Sequence, residues 1–323
     1  MKAAVYRRFG GPEVVRVEEV PKPVPRPDEV LIRVRASTVS VADHRMRARD
    51  LPKGLWFFAP LVIGVFAPRK RILGMDLAGV VEAVGAAVTR FKPGDEVIAM
   101  AGAKFGGHAQ YRCMPETGAV ALKPRNMNFE EAVTLVFGGM TAQAFLARVA
   151  LKPGDEVLVN GASGSVGSAA VQLARHLGAR VTAVTSGGNA ELVRSLGADE
   201  VVDYRTEDFT AKGKTFHAIV DCVGNAPFSR VEGSIKPGGA LLLVIADLKA
   251  MLGARGQSRR SGKLVSAGDW TATAENLAAL VKLAEAGAFR AVIDQTYDLS
   301  DIVAAHRHVD TGRKRGNVVL RIP

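Results

Sequence analysis

The sequence predicts an α/β protein that combines a β-rich part with a doubly wound parallel sheet. Residues 1–124 contain strand-like runs such as "EVLIRVRAST" and "DEVIAMA", separated by turn sequences such as "PKPVPRPD". After Pro124, apolar strand runs alternate with helical runs, which is the pattern of a parallel sheet covered by helices on both faces. The chain has 323 residues, which is enough for two domains of ordinary size.

The β-rich part is expected to form a small curved barrel. Glycines recur through the strand pattern "GMDLAGVVEAVG" (74–85), which indicates bulges or close approaches between backbones. The end of the chain predicts a helix, a strand, a helix and a final strand, "GNVVLRIP", which must pair with a sheet. We therefore assign residues 1–124 and 271–323 to one domain and residues 125–270 to the other.

The parallel sheet is predicted from a regular succession of elements. A helix over Phe129–Val149 precedes the strand "EVLVNG", the helix "SVGSAAVQLARHLG", the strand "RVTAVT" and the helix "NAELVRSLG", which Gly197 ends. The runs "EVVDY", "FHAIVDCVG" and "GALLLVIA" predict further strands. The segments Arg45–Arg71 and Lys249–Lys263 are expected to be loops that decide substrate choice.

Composition and charge exclude several classes of protein. Hydrophobic residues make up 48% and charged residues 23% of the chain, which excludes a disordered protein. The net charge of +11 raises the question of nucleic-acid binding, but the cations are dispersed and not interleaved with aromatic residues. A ligand with several phosphates explains part of this charge equally well, so nucleic acid is not the expected partner.

Cysteine usage and the apolar segments favour a cytoplasmic protein. Cys113 and Cys222 are too few for a disulfide framework, and the N-terminus lacks the apolar run of a secretory signal. The most apolar stretch, "GLWFFAPLVIGVFAP" (54–68), is shorter than the roughly 18 to 20 residues that span a bilayer and is interrupted by Pro60. We interpret it as a hydrophobic lid or a loop of a substrate pocket and expect no membrane partner.

The loop "VNGASGSVG" is the strongest single signal for a ligand. It lies between a predicted strand and a predicted helix, as a dinucleotide-binding fingerprint requires. Gly164 allows the backbone to approach a pyrophosphate, Gly167 allows close packing of helix on strand, and the helix N-terminus attracts the phosphates. Ala162 stands where the fingerprint has its first glycine, and it is tolerable if its φ is negative. A glycine-rich turn that only packs the sheet is the alternative.

The strand after this loop favours NADPH over NADH. An NAD-binding site usually has an acidic residue roughly 20 residues beyond the glycines, where it accepts hydrogen bonds from the ribose. Here "RVTAVT" ends in "SGGNA", and no acid occurs before Glu191. Ser186 and Asn189, with Tyr204 or Arg205 from the next strand, would suit a 2′-phosphate.

These motifs together resemble one family. The loop, with "SLGADEVVDY", "DCVG", "KPGG" and "RGNVVL", resembles the medium-chain dehydrogenase/reductase superfamily and its zinc-free quinone oxidoreductase group, which includes zeta-crystallin. The resemblance extends over essentially the whole chain. It implies a GroES-like β-barrel catalytic domain, split in sequence around a Rossmann domain, with the active site in the cleft between them. It also implies a homodimer, with sheet edges pairing near "GALLLVIA".

The resemblance also implies the absence of zinc. In the alcohol-dehydrogenase branch, zinc is held by a cysteine and a His-Glu pair. The matching positions here are Ser40, Met75 and Asp76, and neither Ser nor Met is a usual zinc ligand. We therefore expect no metal and a conjugate reduction, in which NADPH supplies hydride to a quinone or to an activated C=C bond.

The candidate catalytic residues are Ser40 and His44. Ser40 would orient substrate or nicotinamide, although many relatives carry Asn there, and His44 would donate a proton unless it is only a surface histidine. Cys222 is interpreted as a buried inert thiol and Asp221 as structural. Among the cofactor-binding candidates, Thr141 could instead cap a helix, Val223 and Ile245 could be core, and Asn317 could be a turn residue. The full set of cofactor-binding candidates is Thr141, Ala162, Ser163, Gly164, Ser165, Val166, Gly167, Ser186, Asn189, Tyr204, Val223, Gly224, Ile245 and Asn317.

The predicted function is NADPH-dependent reduction of a quinone, an enone or a similar activated double bond. Reduction of enoyl thioesters or carbonyls on the same fold is the first alternative. A weakly catalytic module that binds NADPH or RNA is the second.

Overall fold

The computed structural model describes residues 1–57, 60, 63–211, 213–268 and 270–323. The chain divides into two compact units. The first unit comprises Met1–Leu51, Trp56–Met140 and Thr271–Pro323, and the second comprises Pro52–Leu55 and Thr141–Trp270. In the described ranges, no helix is long and apolar enough to cross a bilayer.

The first part of the chain is mostly β-structure. Short 3-10 turns occur at Pro12–Val14, Leu55–Phe57 and Gly102–Lys104. The strands are β1 (Lys2–Tyr6), β2 (Val15–Glu19), β3 (Glu29–Val39), β4 (Asp76–Val84), β5 (Glu96–Met100), β6 (Tyr111–Pro115) and β7 (Val120–Leu122), and the helices are α1 (Val41–Ala48) and α2 (Phe129–Val133), the latter followed by a π-helical turn at Leu135–Gly139.

The middle of the chain alternates helices and strands. Its elements are α3 (Met140–Leu146), β8 (Glu156–Asn160), α4 (Ser165–His176), β9 (Arg180–Thr185), α5 (Ala190–Ser195), β10 (Glu200–Asp203), β11 (Phe216–Asp221), α6 (Phe228–Val231), β12 (Ile235–Leu243), α7 (Leu248–Ser261) and β13 (Leu264–Ala267), with 3-10 turns at Gly187–Asn189 and Glu232–Ser234. The chain ends with α8 (Ala274–Glu285), β14 (Ile293–Asp298), a 3-10 turn at Leu299–Asp301, α9 (Ile302–Asp310) and β15 (Asn317–Arg321).

The first unit is organised by a sheet of order β14-β15-β3-β4-β5-β7, in which β6 also pairs with β3. β15 pairs antiparallel with β3, so the last strand of the chain lies in the first unit. Alternate residues of β3, including Val30, Ile32 and Val34, are fully buried in its core.

Close backbone approach in this sheet is confirmed at one of the predicted glycines. The pairing of β3 with β4 shifts register twice, between Leu31 and Ile32 and between Val34 and Ala36. A Cβ atom on Gly79 would lie 2.2 Å from the carbonyl oxygen of Arg33. Glycine is therefore required where the two strands curve around each other.

Residues 125–140 belong to the first unit, which differs from the predicted boundary at residue 124. The single helix expected over Phe129–Val149 is also wrong, because the π-helical turn separates α2 from α3. The physical reason is tertiary packing. The Asn126 side chain donates to the carbonyl of Ala284 at 3.0 Å, and the backbone N–H of Arg125 donates to Glu285 at 3.1 Å, both at the end of α8.

The second unit is a parallel sheet of order β10-β9-β8-β11-β12-β13. Each neighbouring pair of strands is parallel, which confirms the doubly wound prediction. Two details of the prediction are wrong. Lys249–Lys263 is mostly the helix α7 rather than a loop, because Asp247 caps its first turn. The run "GALLLVIA" begins within β12, which is paired on both sides, so the edge strand on that side of the described sheet is β13.

Candidate cofactor site and candidate active site

The second unit has a topological switch point between β8 and β11. From β8 the chain continues to β9 and β10 on one side, whereas β11, β12 and β13 lie on the other side. In sheets of this kind, ligands bind at the carboxyl ends of the strands where the order reverses. The glycine loop after β8 and residues 222–226 after β11 are at this place.

Gly161, rather than residue 162, makes the tight turn after β8. Its φ is +79°, whereas Ala162 is absent from the residues with positive φ, so the expected condition for an alanine there is met. Ala162 is fully buried. A Cβ atom on Gly167 would lie 2.1 Å from the Gly161 carbonyl oxygen, so α4 packs directly on this turn. At Gly164 a Cβ atom would have only one neighbour, the same oxygen at 3.5 Å.

The side chain of Ser163 is arranged to donate a hydrogen bond. Its Oγ accepts from Thr185 Oγ1 at 2.9 Å and from Asn189 Nδ2 at 3.1 Å. Because both contacts use its lone pairs, the hydroxyl hydrogen remains available for an anion. Ser165 and Val166 begin α4, whose N-cap is Gly164 and has no capping side chain. Backbone N–H groups and a hydroxyl hydrogen thus converge on one loop, as a pyrophosphate requires.

Asp221 organises the loop on the other side of the switch point. Its Oδ1 accepts from Asn160 Nδ2 at 2.9 Å and from the N–H groups of Val223 and Gly224 at 3.0 Å, and its Oδ2 accepts from the N–H of Ala226 at 3.0 Å. The carboxylate is fully buried. Asp221 is therefore structural, as expected, and it sets the shape of the loop that follows β11.

This Asp221-bound loop brings two predicted cofactor residues near a third. Gly224 has a φ of +87°, and a Cβ atom there would lie 3.1 Å from Ile245 Cγ2. Val223 is 48% exposed, so the alternative that it belongs to the core is wrong. Burial raises the pKa of the neighbouring Cys222 thiol, and the nearby Asp221 raises it further. Cys222 is accordingly a poor nucleophile.

An acidic group that sequence reasoning missed lies beside the segment that follows β9. Asp203, the last residue of β10, accepts from the N–H of Gly187 at 2.8 Å. Arg205 binds the same carboxylate through Nε at 3.2 Å and Nη2 at 3.1 Å. Its guanidinium holds the pKa of Asp203 below the usual range. Ser186 accepts from Asn189 Nδ2 at 3.1 Å, and Tyr204 is 62% exposed. The predicted 2′-phosphate residues thus surround a carboxylate that is paired with an arginine.

In the first unit, Ser40 is fixed by a carboxylate that was not predicted. Asp43 Oδ2 accepts from the backbone N–H of Ser40 at 2.8 Å and from its hydroxyl at 2.7 Å. The other oxygen, Oδ1, accepts from the N–H of Gly74 at 2.8 Å. Both side chains are buried, and Ser40 is the N-cap of α1. Because the Ser40 proton points to Asp43, Oγ offers a lone pair, not a hydrogen, to any other group.

His44 is placed in an ion-pair network. Its Nδ1 lies 2.7 Å from Asp310 and its Nε2 lies 3.3 Å from Asp50. Asp310 also binds Nη2 of the fully buried Arg47 at 2.6 Å. These contacts join α1 to α9 and engage both ring nitrogens, so the geometry favours a structural histidine over a proton donor.

Asp76 is a buried carboxyl beside this cluster. Its Oδ1 accepts from the N–H of Thr38 at 2.9 Å and its Oδ2 from the Thr38 hydroxyl at 2.7 Å. Burial raises the pKa of Asp76 to about 7, and the hydrogen bonds from Thr38 offset part of that effect. Both oxygens are thus already engaged by a neighbouring strand.

Two predicted cofactor residues remain to be placed. Thr141 is 5% exposed and is the second residue of α3, so it does not cap that helix. Asn317 is 6% exposed and begins β15, so it is a strand residue and not a turn residue. Its side-chain amide donates to the carbonyl of Val292 at 3.1 Å.

A cavity of about 280 Å³ lies elsewhere in the second unit. Glu200 and Phe216 in its wall begin β10 and β11, and Lys214 precedes β11. It is therefore at the amino ends of these strands, away from the glycine loop. This position does not suit a dinucleotide.

A β-rich unit with a buried polar cluster and a parallel sheet with a glycine loop at its switch point are the arrangement expected of a two-domain dehydrogenase or reductase. Comparison with family models supports this class. Residues 26–124 match the alcohol dehydrogenase GroES-like domain, and residues 196–320 match a model described as zinc-binding dehydrogenase.

Relatives of known name narrow the class. The 2-methylene-furan-3-one reductase of Solanum lycopersicum is 32% identical over 99% of this chain and 79% of that protein. The quinone oxidoreductase of Sus scrofa is 31% identical over 99% of this chain and 97% of that protein. The structure of the quinone oxidoreductase from Coxiella burnetii superposes with a TM-score of 0.87 at 26% identity, over 100% of this chain and 99% of that one.

The chain belongs to the medium-chain dehydrogenase/reductase superfamily, in its quinone oxidoreductase-like group, as predicted. It is an oxidoreductase that uses a nicotinamide cofactor. The second unit fits such a cofactor, because Gly164 leaves open space beside the Ser163 hydroxyl and the N-terminus of α4.

The matching residues do not fit the zinc named in one family model. Serine and methionine are not usual zinc ligands, the Ser40 hydroxyl donates to Asp43, and both oxygens of Asp76 accept from Thr38. Across the ranges that the structure describes, no group of three or more His, Cys, Asp or Glu side chains could hold a metal ion.

The glycine loop generates a paired prediction. Gly167→Ala should lower the free energy of unfolding by about 2 kcal/mol or more, because the new methyl group meets the backbone of Gly161. Gly164→Ala should change it by less than about 0.5 kcal/mol, yet weaken cofactor binding by roughly tenfold or more. Urea unfolding and fluorescence titration with NADPH measure the two effects. Unchanged cofactor affinity in Gly164→Ala would contradict a role for this loop in phosphate binding.

Asp76 generates a pH-dependent prediction. Between its unfolded pKa of about 3.9 and its folded pKa of about 7, the native state keeps a proton that the unfolded chain has lost. The contribution of Asp76 is therefore present at low pH and is lost as pH rises through 7. From pH 5 to pH 8, wild type should lose roughly 2 to 3 kcal/mol relative to Asp76→Asn in urea unfolding.

The control for this measurement is Asp28→Asn, which removes an exposed carboxylate from the turn before β3. Its stability difference from wild type should stay constant over the same pH range. A constant difference for Asp76→Asn as well would show that Asp76 is already ionised at pH 5.

Proposed function

We propose that the chain reduces quinones, enones and similar activated C=C bonds with NADPH and without zinc. Two observations carry the proposal together. A glycine loop lies at the switch point of the second unit, and the side chains around Ser40 do not suit zinc as ligands. The family membership agrees with this chemistry.

The cofactor would be held by the residues around the switch point of the second unit. Backbone N–H groups of the loop after β8 and the Ser163 hydroxyl would bind the pyrophosphate. Val223, Gly224 and Ile245 would contact the cofactor beyond β11 and β12, with the loop shape fixed by Asp221. When bound, the cofactor supplies a hydride to the electrophilic carbon of the acceptor. Thr141 and Asn317 are retained as proposed cofactor contacts.

The preference for NADPH rests on charge at the end of β10. Arg205 and Tyr204 lie near Ser186, whose hydroxyl would donate to a 2′-phosphate, and Asn189 positions that hydroxyl through its amide. Asp203 opposes this preference, and its pairing with Arg205 offsets that charge. NADPH is therefore preferred by a local balance in which Arg205 is decisive.

Ser40 would orient its partner as a hydrogen-bond acceptor. Asp43 holds the hydroxyl proton, so Oγ suits an N–H or O–H group of cofactor or substrate. Neither Ser40 nor His44 presents a free proton, and the proton that completes the reduction would come from water.

Assembly and location complete the proposal. We propose a cytoplasmic homodimer that pairs through the exposed edge of β13, since β12 is interior to the sheet. Two free cysteines suit a reducing compartment.

The test is steady-state oxidation of NADPH and NADH with a panel of quinones, enones, enoyl thioesters and simple carbonyls. Quinones or enones should be reduced with NADPH preferred, and Arg205→Ala should lower the NADPH-to-NADH ratio of kcat/KM. Ser40→Ala should lower kcat/KM by about three- to tenfold, the worth of one neutral hydrogen bond.

Activity confined to enoyl thioesters or carbonyls would favour the first alternative. Absence of turnover with every acceptor, together with salt-sensitive RNA binding, would overturn the enzyme proposal in favour of the binding module.

A further inference from the structure

Four large apolar side chains are exposed in one stretch of the first unit. Trp56 is 59%, Phe57 66%, Val65 50% and Phe66 94% exposed. The rings of Trp56 and Phe57 stack with centroids 3.8 Å apart. Exposed apolar groups that lie this close together in sequence suit a surface that a partner covers.

Val65 and Phe66 form an apolar tip, and the backbone on either side of it, at Ile63 and at residues 69–71, forms the stem that joins the tip to the rest of the unit. The N–H of Arg69 donates to the carbonyl of Ile63 at 2.9 Å, and Ile63 is 2% exposed. Gly64, with a φ of +114°, makes the turn that places Val65 and Phe66 at the tip. The stem then joins the β-structure of the unit, because the N–H of Tyr6 donates to the carbonyl of Arg71 at 2.9 Å.

Within residues 51–75 the charges have one sign, although Glu18 lies near Arg71 in the structure. The sequence contains no Asp or Glu between Asp50 and Asp76. Arg69, Lys70 and Arg71 follow the tip directly and are exposed. In addition, Nη1 of Arg49 donates to the carbonyl of Val65 at 3.2 Å, which brings another cation to its base. The partner must therefore be apolar where it meets the rings and anionic beside them.

We propose that Trp56, Phe57, Val65, Phe66, Arg69, Lys70 and Arg71 form a docking surface for an anionic lipid bilayer. Aromatic side chains enter the headgroup region while neighbouring cations bind the anionic headgroups. This contact needs no membrane-spanning helix. It differs from the sequence interpretation of this stretch as a hydrophobic lid or a loop of a substrate pocket, and from the expectation of no membrane partner.

The chain provides a probe at the proposed surface, because Trp56 and Trp270 are its only tryptophans. Trp270→Phe leaves Trp56 as the sole reporter. With phosphatidylcholine vesicles that contain phosphatidylglycerol, its emission should shift to the blue and be quenched by brominated acyl chains. Trp56→Phe, which leaves Trp270, should show neither effect. Added salt should reverse binding, because the Debye length is about 8 Å at physiological ionic strength.

Charge removal identifies the surface. In vesicle flotation, Arg69→Gln/Lys70→Gln/Arg71→Gln should reduce partitioning on the order of a hundredfold, at about fivefold per cation. Phe66→Ala should reduce it further in either background, and circular dichroism checks that each variant is folded. The matched control, Arg255→Gln/Arg259→Gln/Arg260→Gln, removes the same charge from α7 and should retain most of the binding.

Three results would overturn the proposal. The first is equal partitioning into vesicles with and without anionic lipid, or none into either. The second is a control variant that loses as much binding as the stem variant. The third is a shift of Trp56 emission without vesicles. A shift that depends on protein concentration would assign the surface to a second copy of the chain, and a shift produced by RNA alone would assign it to RNA.

Discussion

Hydrogen bonds to the Asp43 carboxylate determine how the first unit presents its candidate active-site residues. Asp43 accepts from the N–H and hydroxyl of Ser40 and from the N–H of Gly74, so it joins the start of α1 to the segment that enters β4. Met75 and Asp76 follow Gly74 directly in the sequence. Removal of the buried Asp43 carboxylate should destabilise the unit, because three hydrogen-bond donors would lose their acceptor. The chemistry open to Ser40 follows from this arrangement.

The second unit depends on a comparable constraint at the glycine loop. Gly167 approaches the Gly161 carbonyl so closely that no side chain fits between α4 and the turn after β8. This contact aims the N-terminus of α4 at the loop, and Asp221 fixes the loop on the other side of the switch point. In the proposed mode of cofactor binding, phosphate recognition would depend on backbone geometry, so few side chains would be needed to hold a dinucleotide.

The sequence pattern was sufficient to predict most of the strands and the position of the glycine loop. Strand-like runs predicted β3 and β4, and apolar runs separated by helices predicted the parallel strands. The spacing of glycines between a strand and a helix predicted the loop after β8. Contacts between residues distant in sequence were not predictable in the same way. Asp203 lies at the end of the neighbouring strand, and its contact with Gly187 appears only when β10 pairs with β9. Phe129–Val149 reads as one helix, because the packing of its first part on the first unit has no local signal.

The contact between Asp43 and Ser40 does have a signal in the sequence. Ser40 followed by Asp43 has the spacing of a capping box, which places a carboxylate against the N-cap residue. A capping box predicts the bond from the Ser40 backbone N–H to Asp43, whereas the bond from the Ser40 hydroxyl to the same oxygen is seen only in the structure. The presence of the helix α7 could also be predicted from Asp247, which has the residue type and position of an N-cap.

The central claim is that this chain reduces its acceptor without a metal, and the direct test combines metal analysis with activity. Protein treated exhaustively with chelators would be analysed for zinc by mass spectrometry and assayed for NADPH oxidation with a quinone or enone. The account predicts full activity at a negligible zinc content. One zinc per chain, with activity that is lost on chelation and restored by added zinc, would contradict it.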